Sequence, residues 1–324
     1  MNTPIERRAL VTGATGFVGS HLARRLLRDG YDVHILLRPS SRPWRISDIL
    51  PRVRAHTGDL LDLDALKERV ASIRPGIIFH LANAGVYGGR HLPEGDLTRV
   101  NFLGTQHLLA ACRPLDYLCL VNTGSSAEYG PKAGPMSEVD ACDPVTPYGI
   151  TKLASTLCGR IEARTRGKPV ISLRLFSPYG PYDDPSRLVS YAVAQALRGA
   201  DIELADPGAV RDYVHIDDVV EAFMLCVGRA ARHRGEIVNI GSGAQTSVST
   251  VVGTILSITG SRSAVRWGAV PPRAFDAPRW EADIRAARRL LGWGPRISLE
   301  EGLRSTIEWH RGRLSASAPP GAPP

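Results

Sequence analysis

Tyr148 and Lys152 stand four residues apart in YGITK, at the start of a segment that reads as a helix. That spacing puts both side chains on one helix face, where the lysine ammonium can lower the phenol pKa. A phenol tuned this way passes a proton to or from a substrate oxygen near neutral pH. NTGSSAEYG, running from Asn122 to Gly130, follows a buried strand and offers Ser125 and Ser126 as hydroxyls to orient that oxygen.

A second set of residues could hold a dinucleotide. Gly13, Gly16 and Gly19 occur in TGATGFVG, between an apolar strand and a helix. Glycine there lets the backbone approach a pyrophosphate, and the helix N-terminus adds free N–H groups and a positive dipole end. The spacing is one residue longer at its start than the usual dinucleotide fingerprint. The end of the second strand reads HILLRPSSR, with Leu37 where an NAD enzyme places an acid to bind the ribose 2′-hydroxyl. Arg38, with Ser40, Ser41 or Arg42 nearby, would bind a 2′-phosphate that an acid would repel. The expected cofactor is therefore NADP(H), with NAD the alternative. Asp59 in HTGDL is placed to meet the adenine.

These groups need a scaffold, and the first half of the chain supplies one. Strands are expected over 8–12, 32–37, 77–81, 117–122 and 170–175, and helices over 21–28, 63–73, 98–111 and 151–165. Gly30 should close the first helix, and Asp62 should cap the second. Repeated βαβ units imply an α/β fold, a doubly wound parallel (Rossmann) sheet. After Phe176 the strands shorten, and helices over 187–198 and 248–259 stand apart. Residues 1–176 read as the dinucleotide-binding domain. Residues 177–312 read as a smaller mixed α/β substrate-binding domain, with the stretch near 211–242 packing back on the first. Residues 313–324, ending SASAPPGAPP, read as a disordered tail.

Bulk properties narrow the classes further. The chain has 324 residues, 43% hydrophobic and 22% charged, which is ordinary for a globular protein. The net charge of +8 is nearly all arginine, spread along the chain without an aromatic–basic RNA motif, so nucleic acid is not an expected partner. No apolar run reaches membrane-span length, and no signal peptide is legible, so a cytoplasmic location is expected. Five cysteines fit no zinc pattern and read as reduced thiols; no metal is expected.

TGATGFVGSHL, GDL, FHLANAG, Asn101–Thr105, SSAEYG, YGITK, RLFSPYGP and RDYVHIDDV occur in the order that resembles extended short-chain dehydrogenases/reductases, the NAD-dependent epimerase/dehydratase family. The likeness covers roughly Ala9 to Trp309. It implies a seven-stranded sheet and a nucleotide-diphosphate sugar as substrate. By resemblance Tyr148 is the catalytic acid/base, Lys152 its partner and a holder of the nicotinamide ribose, and Ser125 the catalytic hydroxyl. Asn101 would support the lysine. Thr15, Phe17, Val18, Leu60, Leu81 and Ala82 would line the cofactor. Arg211 would meet the sugar-nucleotide diphosphate, and Arg273 with Asp276, in RAFD, would hold diphosphate and nucleoside ribose. Ser126, Ser177, Arg187 and Leu188 would border the substrate; Ser177 stands where many relatives have Asn. Pairing of two copies through the helices over 98–111 and 151–165 is expected.

The two residues after Ser125 narrow the reaction. Dehydratases of this family place acids at those positions, which here are Ser126 and Ala127. Glu128 lies one residue later, and in an extended segment that slip reverses its direction. Leu37 with Arg38, SSAEYG and LRLFSPYGPYDDPSRL resemble 4-ketoreductases, so NADPH-dependent reduction of a 4-keto(-6-deoxy) nucleotide sugar is the leading expectation. An NAD-dependent 4-epimerase is the alternative. A dehydratase or a non-catalytic dinucleotide sensor is less favoured.

Overall fold

The computed structural model describes residues 4–85, 93–271 and 279–317. Seven parallel strands form its centre: β1 (Arg8–Thr12), β2 (Asp32–Leu37), β3 (Arg54–Thr57), β4 (Ile77–His80), β5 (Cys119–Ser125), β6 (Val170–Leu175) and β7 (Ile237–Ile240). Their order is β7-β6-β5-β4-β1-β2-β3. The chain builds outward from β1 in one direction and then reverses at β4. The carboxyl ends of β1 and β4 therefore flank the crevice where ligands bind in open parallel sheets. In β4 all four residues are buried, as a strand covered on both faces requires.

Helices cover both faces. α1 (Phe17–Arg28) buries Leu22, Ala23 and Leu26 and ends at Asp29, with Gly30 left-handed at φ +79°. α2 (Leu63–Ile73) starts where Asp62 accepts a 3.1 Å bond from the Ala65 N–H. One helical turn (Glu94–Leu97) runs through a π-helical stretch (Thr98–Leu103) into α3 (Gly104–Cys112). α4 (Pro147–Arg166) lies beside α3. Among the later helices, α5 (Leu188–Arg198), α7 (Val248–Thr259) and α8 (Leu299–Ser317) enclose a separate core around Val193, Val252, Ile255 and Leu303. α6 (Ile216–Val227) instead packs on α1, and β7 adds to the main sheet through Val238 opposite Leu173.

Several expected boundaries shift, and two of the shifts bear on the site and the C-terminus. The catalytic helix begins at Pro147 rather than residue 151, because Thr146 caps it by accepting from the Gly149 N–H at 3.0 Å and Pro147 fits the first helical position. Residues 313–317, expected to be disordered, continue α8. The Arg313 guanidinium there stacks on the rings of Trp44 and Trp309, each 5.1 Å away.

Candidate active site

The turn after β1 is shaped by backbone contact. Gly13 has φ +73°, and a Cβ on it would lie 2.5 Å from the Leu81 carbonyl carbon and the Ala82 nitrogen. A Cβ on Gly19 would overlap the Gly13 carbonyl. No side chain caps α1 at Gly16, so no cap occupies the first-turn N–H groups of Phe17, Val18 and Gly19. A cradle that excludes side chains at a helix N-terminus fits a pyrophosphate. Thr15 is tied to the following segment through its carbonyl, which accepts from Arg45 at 3.5 Å.

At the next strand ends, Arg38 is exposed and its backbone makes a tight turn with Ser41: its N–H donates to the Ser41 hydroxyl at 3.0 Å. Asp59 is exposed, and its carboxylate accepts from the Leu61 N–H at 2.9 Å. Leu60 is buried beside α3, where its carbonyl meets the ring of His107 at 2.8 Å.

The chemistry-bearing residues converge from β5 and α4. Ser125 ends β5 and caps a 3-10 turn, Ser126–Glu128, its hydroxyl accepting from the Ala127 N–H at 3.2 Å. α4 starts against this turn, because Gly149 has no side chain: a Cβ there would overlap the Ala127 carbonyl. Tyr148 is half-buried at that start. Lys152, one helical turn on, is buried and donates to the Thr123 carbonyl at 2.5 Å. Burial lowers its pKa to about 8, with nearby Glu128 pulling it back up.

Glu128 points away from this centre, for a reason different from the expected strand reversal. The segment is a 3-10 turn, and Glu128 folds beneath it as the acid of a capping box. It accepts from the Ser125 N–H at 2.8 Å and the Thr156 hydroxyl at 2.9 Å, and pairs with Arg174 at 2.7 Å. It is fully buried, and burial raises its pKa while Arg174 opposes the rise.

Asn101 is tied to the catalytic helix beside Lys152. Its amide clamps the Ala84 backbone at 2.7 and 2.8 Å and donates to the Thr151 hydroxyl at 3.0 Å, one residue short of the lysine. It does so from the π-helical stretch, a distortion that often accompanies functional sites. Beneath the site lies His80, which the sequence reading passed over. Its ring joins Thr12 at 2.8 Å to Thr105 at 2.9 Å, and burial lowers its pKa to about 3. The histidine of FHLANAG at a strand end was the available signal.

In the second half, Ser177 donates its N–H to the Asp212 carbonyl at 2.9 Å. Arg187 flanks the start of α5 and pairs with buried Asp183 at 3.0 Å, and Leu188 opens the helix. Arg211 stands 5.6 Å over the ring of Trp280. The Trp280 indole donates to the Ser126 hydroxyl at 3.1 Å, a link that nothing in the sequence indicated. Arg273 and Asp276 lie outside the described residues, as do the neighbouring residues 272–278.

A glycine cradle at the sheet's reversal point and a Tyr–Lys pair on a helix beside a strand-end serine define a dinucleotide-dependent enzyme of the short-chain dehydrogenase/reductase type. Comparison with known proteins agrees: residues 9–241 match the model of the NAD dependent epimerase/dehydratase family, and the chain belongs to that family. A UDP-glucose 4-epimerase of Mycolicibacterium smegmatis is 34% identical over 319 residues, covering 94% of this chain and 99% of the relative. The structure of a UDP-glucose 4-epimerase from Thermotoga maritima with UDP-glucose superposes with a TM-score of 0.87 at 29% identity, covering 95% and 99% of the two chains. A UDP-glucuronic acid 4-epimerase from Bacillus cereus, in complex with UDP-glucuronic acid and NAD, superposes with a TM-score of 0.84 at 27% identity, covering 94% and 99%. The chain is an enzyme of nucleotide-sugar chemistry. These relatives favour epimerisation over the ketoreduction that the sequence put first, and the Bacillus cereus enzyme holds NAD, the alternative cofactor.

Proposed function

We propose that this protein is an NAD-dependent 4-epimerase of a UDP-linked hexose. The likeness to UDP-glucose 4-epimerases carries the reading over ketoreduction, and the placement of Glu128 carries it over water loss. Glu128 is locked against Arg174 and Thr156, so Ser125, Tyr148 and Lys152 are left as a centre with Ser126 and Ala127 in place of acids. Such a centre can move one proton at one oxygen, and Ser126 and Ala127 give it no carboxylate to drive loss of water. The epimerase relatives support the same conclusion.

In this reading Tyr148 takes the proton of the sugar C4 hydroxyl and later returns it, with Ser125 holding the oxygen in line. When bound, NAD supplies a hydride acceptor that keeps the C4 hydrogen and gives it back. Lys152 favours the phenolate and holds the nicotinamide ribose. The glycine cradle, with the helix start at Phe17–Gly19 and the Leu81–Ala82 backbone, receives the pyrophosphate, and Asp59 meets the adenosine. Arg211 meets the substrate diphosphate. The second reading, an NADPH-dependent 4-ketoreductase, is favoured by Leu37 and the exposed Arg38.

Incubation with UDP-glucose and no added reductant tests the choice. Appearance of UDP-galactose, with NAD released from the denatured protein, is the expected result. Oxidation of added NADPH by a 4-keto-6-deoxy nucleotide sugar, with no hexose interconversion, would overturn it in favour of the reductase.

A further inference from the structure

Trp280 joins the two halves of the candidate site. Its mount is rigid: the Trp280 N–H donates to the Gln245 side chain at 3.3 Å, the Glu281 carbonyl accepts from Met136 at 2.8 Å, and the Ala282 N–H donates to buried Asp212 at 2.9 Å. From that mount its ring faces Arg211, the residue next to Asp212, while its indole N–H reaches Ser126, the residue next to Ser125.

The direction of the indole bond has a chemical consequence. An indole N–H can only donate, whereas a serine hydroxyl has one proton to give and two lone pairs. With a lone pair of Ser126 occupied by Trp280, the hydroxyl proton is left to be given elsewhere. Ser126 is 5% exposed, and its hydroxyl donates no hydrogen bond among the described residues. A buried donor without an acceptor is costly, and a ligand oxygen would satisfy it.

We propose that Trp280 is a positioning residue. Its indole makes Ser126 a fixed hydrogen-bond donor to an oxygen of the hexose, and its ring, with Arg211, sets the distance from that donor to the diphosphate. This rests on the nucleotide-sugar reading above and adds to it the group that seats the sugar between the reacting end and the phosphate end. The position taken by an acid in the dehydratases is held here by a serine committed through tryptophan to a neutral, donating role.

Four proteins test it: wild type, Trp280→Phe, Ser126→Ala and the double variant, each titrated with UDP and with UDP-glucose by calorimetry. Trp280→Phe keeps an aromatic ring beside Arg211 but removes the N–H together with the pyrrole half of the indole, so the comparison with Ser126→Ala isolates the hydrogen bond, and thermal unfolding checks that the fold is kept. Each single variant should bind UDP-glucose about 5-fold more weakly, as for one lost hydrogen bond, and bind UDP within about 2-fold of wild type. The double variant should be no weaker than Ser126→Ala, because both changes remove one and the same interaction. In turnover, KM for the sugar nucleotide should follow the same pattern. Wild-type UDP-glucose affinity in Trp280→Phe, effects that multiply in the double variant, or an equal loss for UDP would overturn the proposal. A wild-type protein that binds UDP-glucose leaves the functional reading standing in those cases; one that binds neither ligand overturns both.

Discussion

Lys152 carries two demands that conflict. The proposed chemistry needs its ammonium beside Tyr148, while burial disfavours that charge and lowers its pKa from 10.5 to about 8. Between those values the unfolded chain binds a proton that the folded chain does not, so stability rises with pH across that window. Below about pH 8 the full penalty applies, on the order of 3 kcal/mol. Lys152→Met should remove it, and loss of the Thr123 contact should offset about 1 kcal/mol. The variant should therefore be about 2 kcal/mol more stable than wild type at pH 7, a gain that fades as pH rises toward 10.5, and it should lose turnover. Urea unfolding at several pH values reads this directly, and a stability difference flat from pH 7 to 10 would refute it. Tyr148→Phe should abolish turnover while UDP-glucose still binds. Ser125→Ala should lower kcat by about 10²–10³-fold, as for one lost donor to a developing charge. Tyr148, Lys152 and Ser125 were legible in the sequence because their types and spacing are local signals. Glu128 was expected to turn away by strand alternation, whereas a capping box and Arg174 hold it, and the pairing with Arg174 is a tertiary event that the local sequence does not encode. Trp280 was illegible: it stands 154 residues from Ser126, and only the fold brings them together.

The contact between α4 and the turn after β5 sets the geometry of the site, and Gly149 permits it. A Cβ at this position would overlap the Ala127 carbonyl and press on Pro144 at 3.0 Å. Gly149→Ala should push the start of α4 off the turn and carry Tyr148 away from Ser125. Overpacking of this kind costs about 1–3 kcal/mol, and a shift near 1 Å at a catalytic group can cost on the order of 10²-fold in rate. The expected result is a folded protein with a lower melting temperature, kcat reduced by about 10-fold or more, and nearly unchanged UDP affinity. Wild-type kcat in this variant would show that the helix start does not set the reacting geometry. At this scale the sequence was most readable where one signal dominates. β1, β2 and β6 are apolar runs bounded by polar or turn residues, and they lie where periodicity put them. α1 and α4 both begin four residues earlier than expected, because the reading followed the apolar stripe and undervalued the flanks: Gly16 for α1, and Thr146 with Pro147 for α4. The π-helical stretch ahead of α3 has no sequence signature that helix periodicity could reveal.

On the whole molecule, one surface stands apart from the sites. α3 and α4 lie side by side and leave a groove of about 690 Å³ lined by Leu103, Ala110, Leu157 and Ile161. Ile150 and Ile161 on α4 are 55% and 54% exposed, and Leu157 is 43% exposed, on a helix whose opposite face packs on the sheet. Apolar side chains gathered on one helical face mark an interaction surface. The pairing of two copies that the family resemblance implies would set this patch against itself across a two-fold axis. Such pairing would also bear on the chemistry. α4 carries Tyr148 and Lys152 at one end and this apolar face along its length, so a partner pressed against it would restrain the catalytic helix from outside while the sheet restrains it from within. Ile161→Glu places a charge in the middle of that face, several turns from Tyr148 and on the far side from the buried core. Sedimentation should then change from two chains to one, and the monomer should bind UDP-glucose as the wild type does but turn it over more slowly. Wild-type protein that sediments as a single chain at micromolar concentration would reject the pairing, and an Ile161→Glu variant that stays paired would place the interface on another surface.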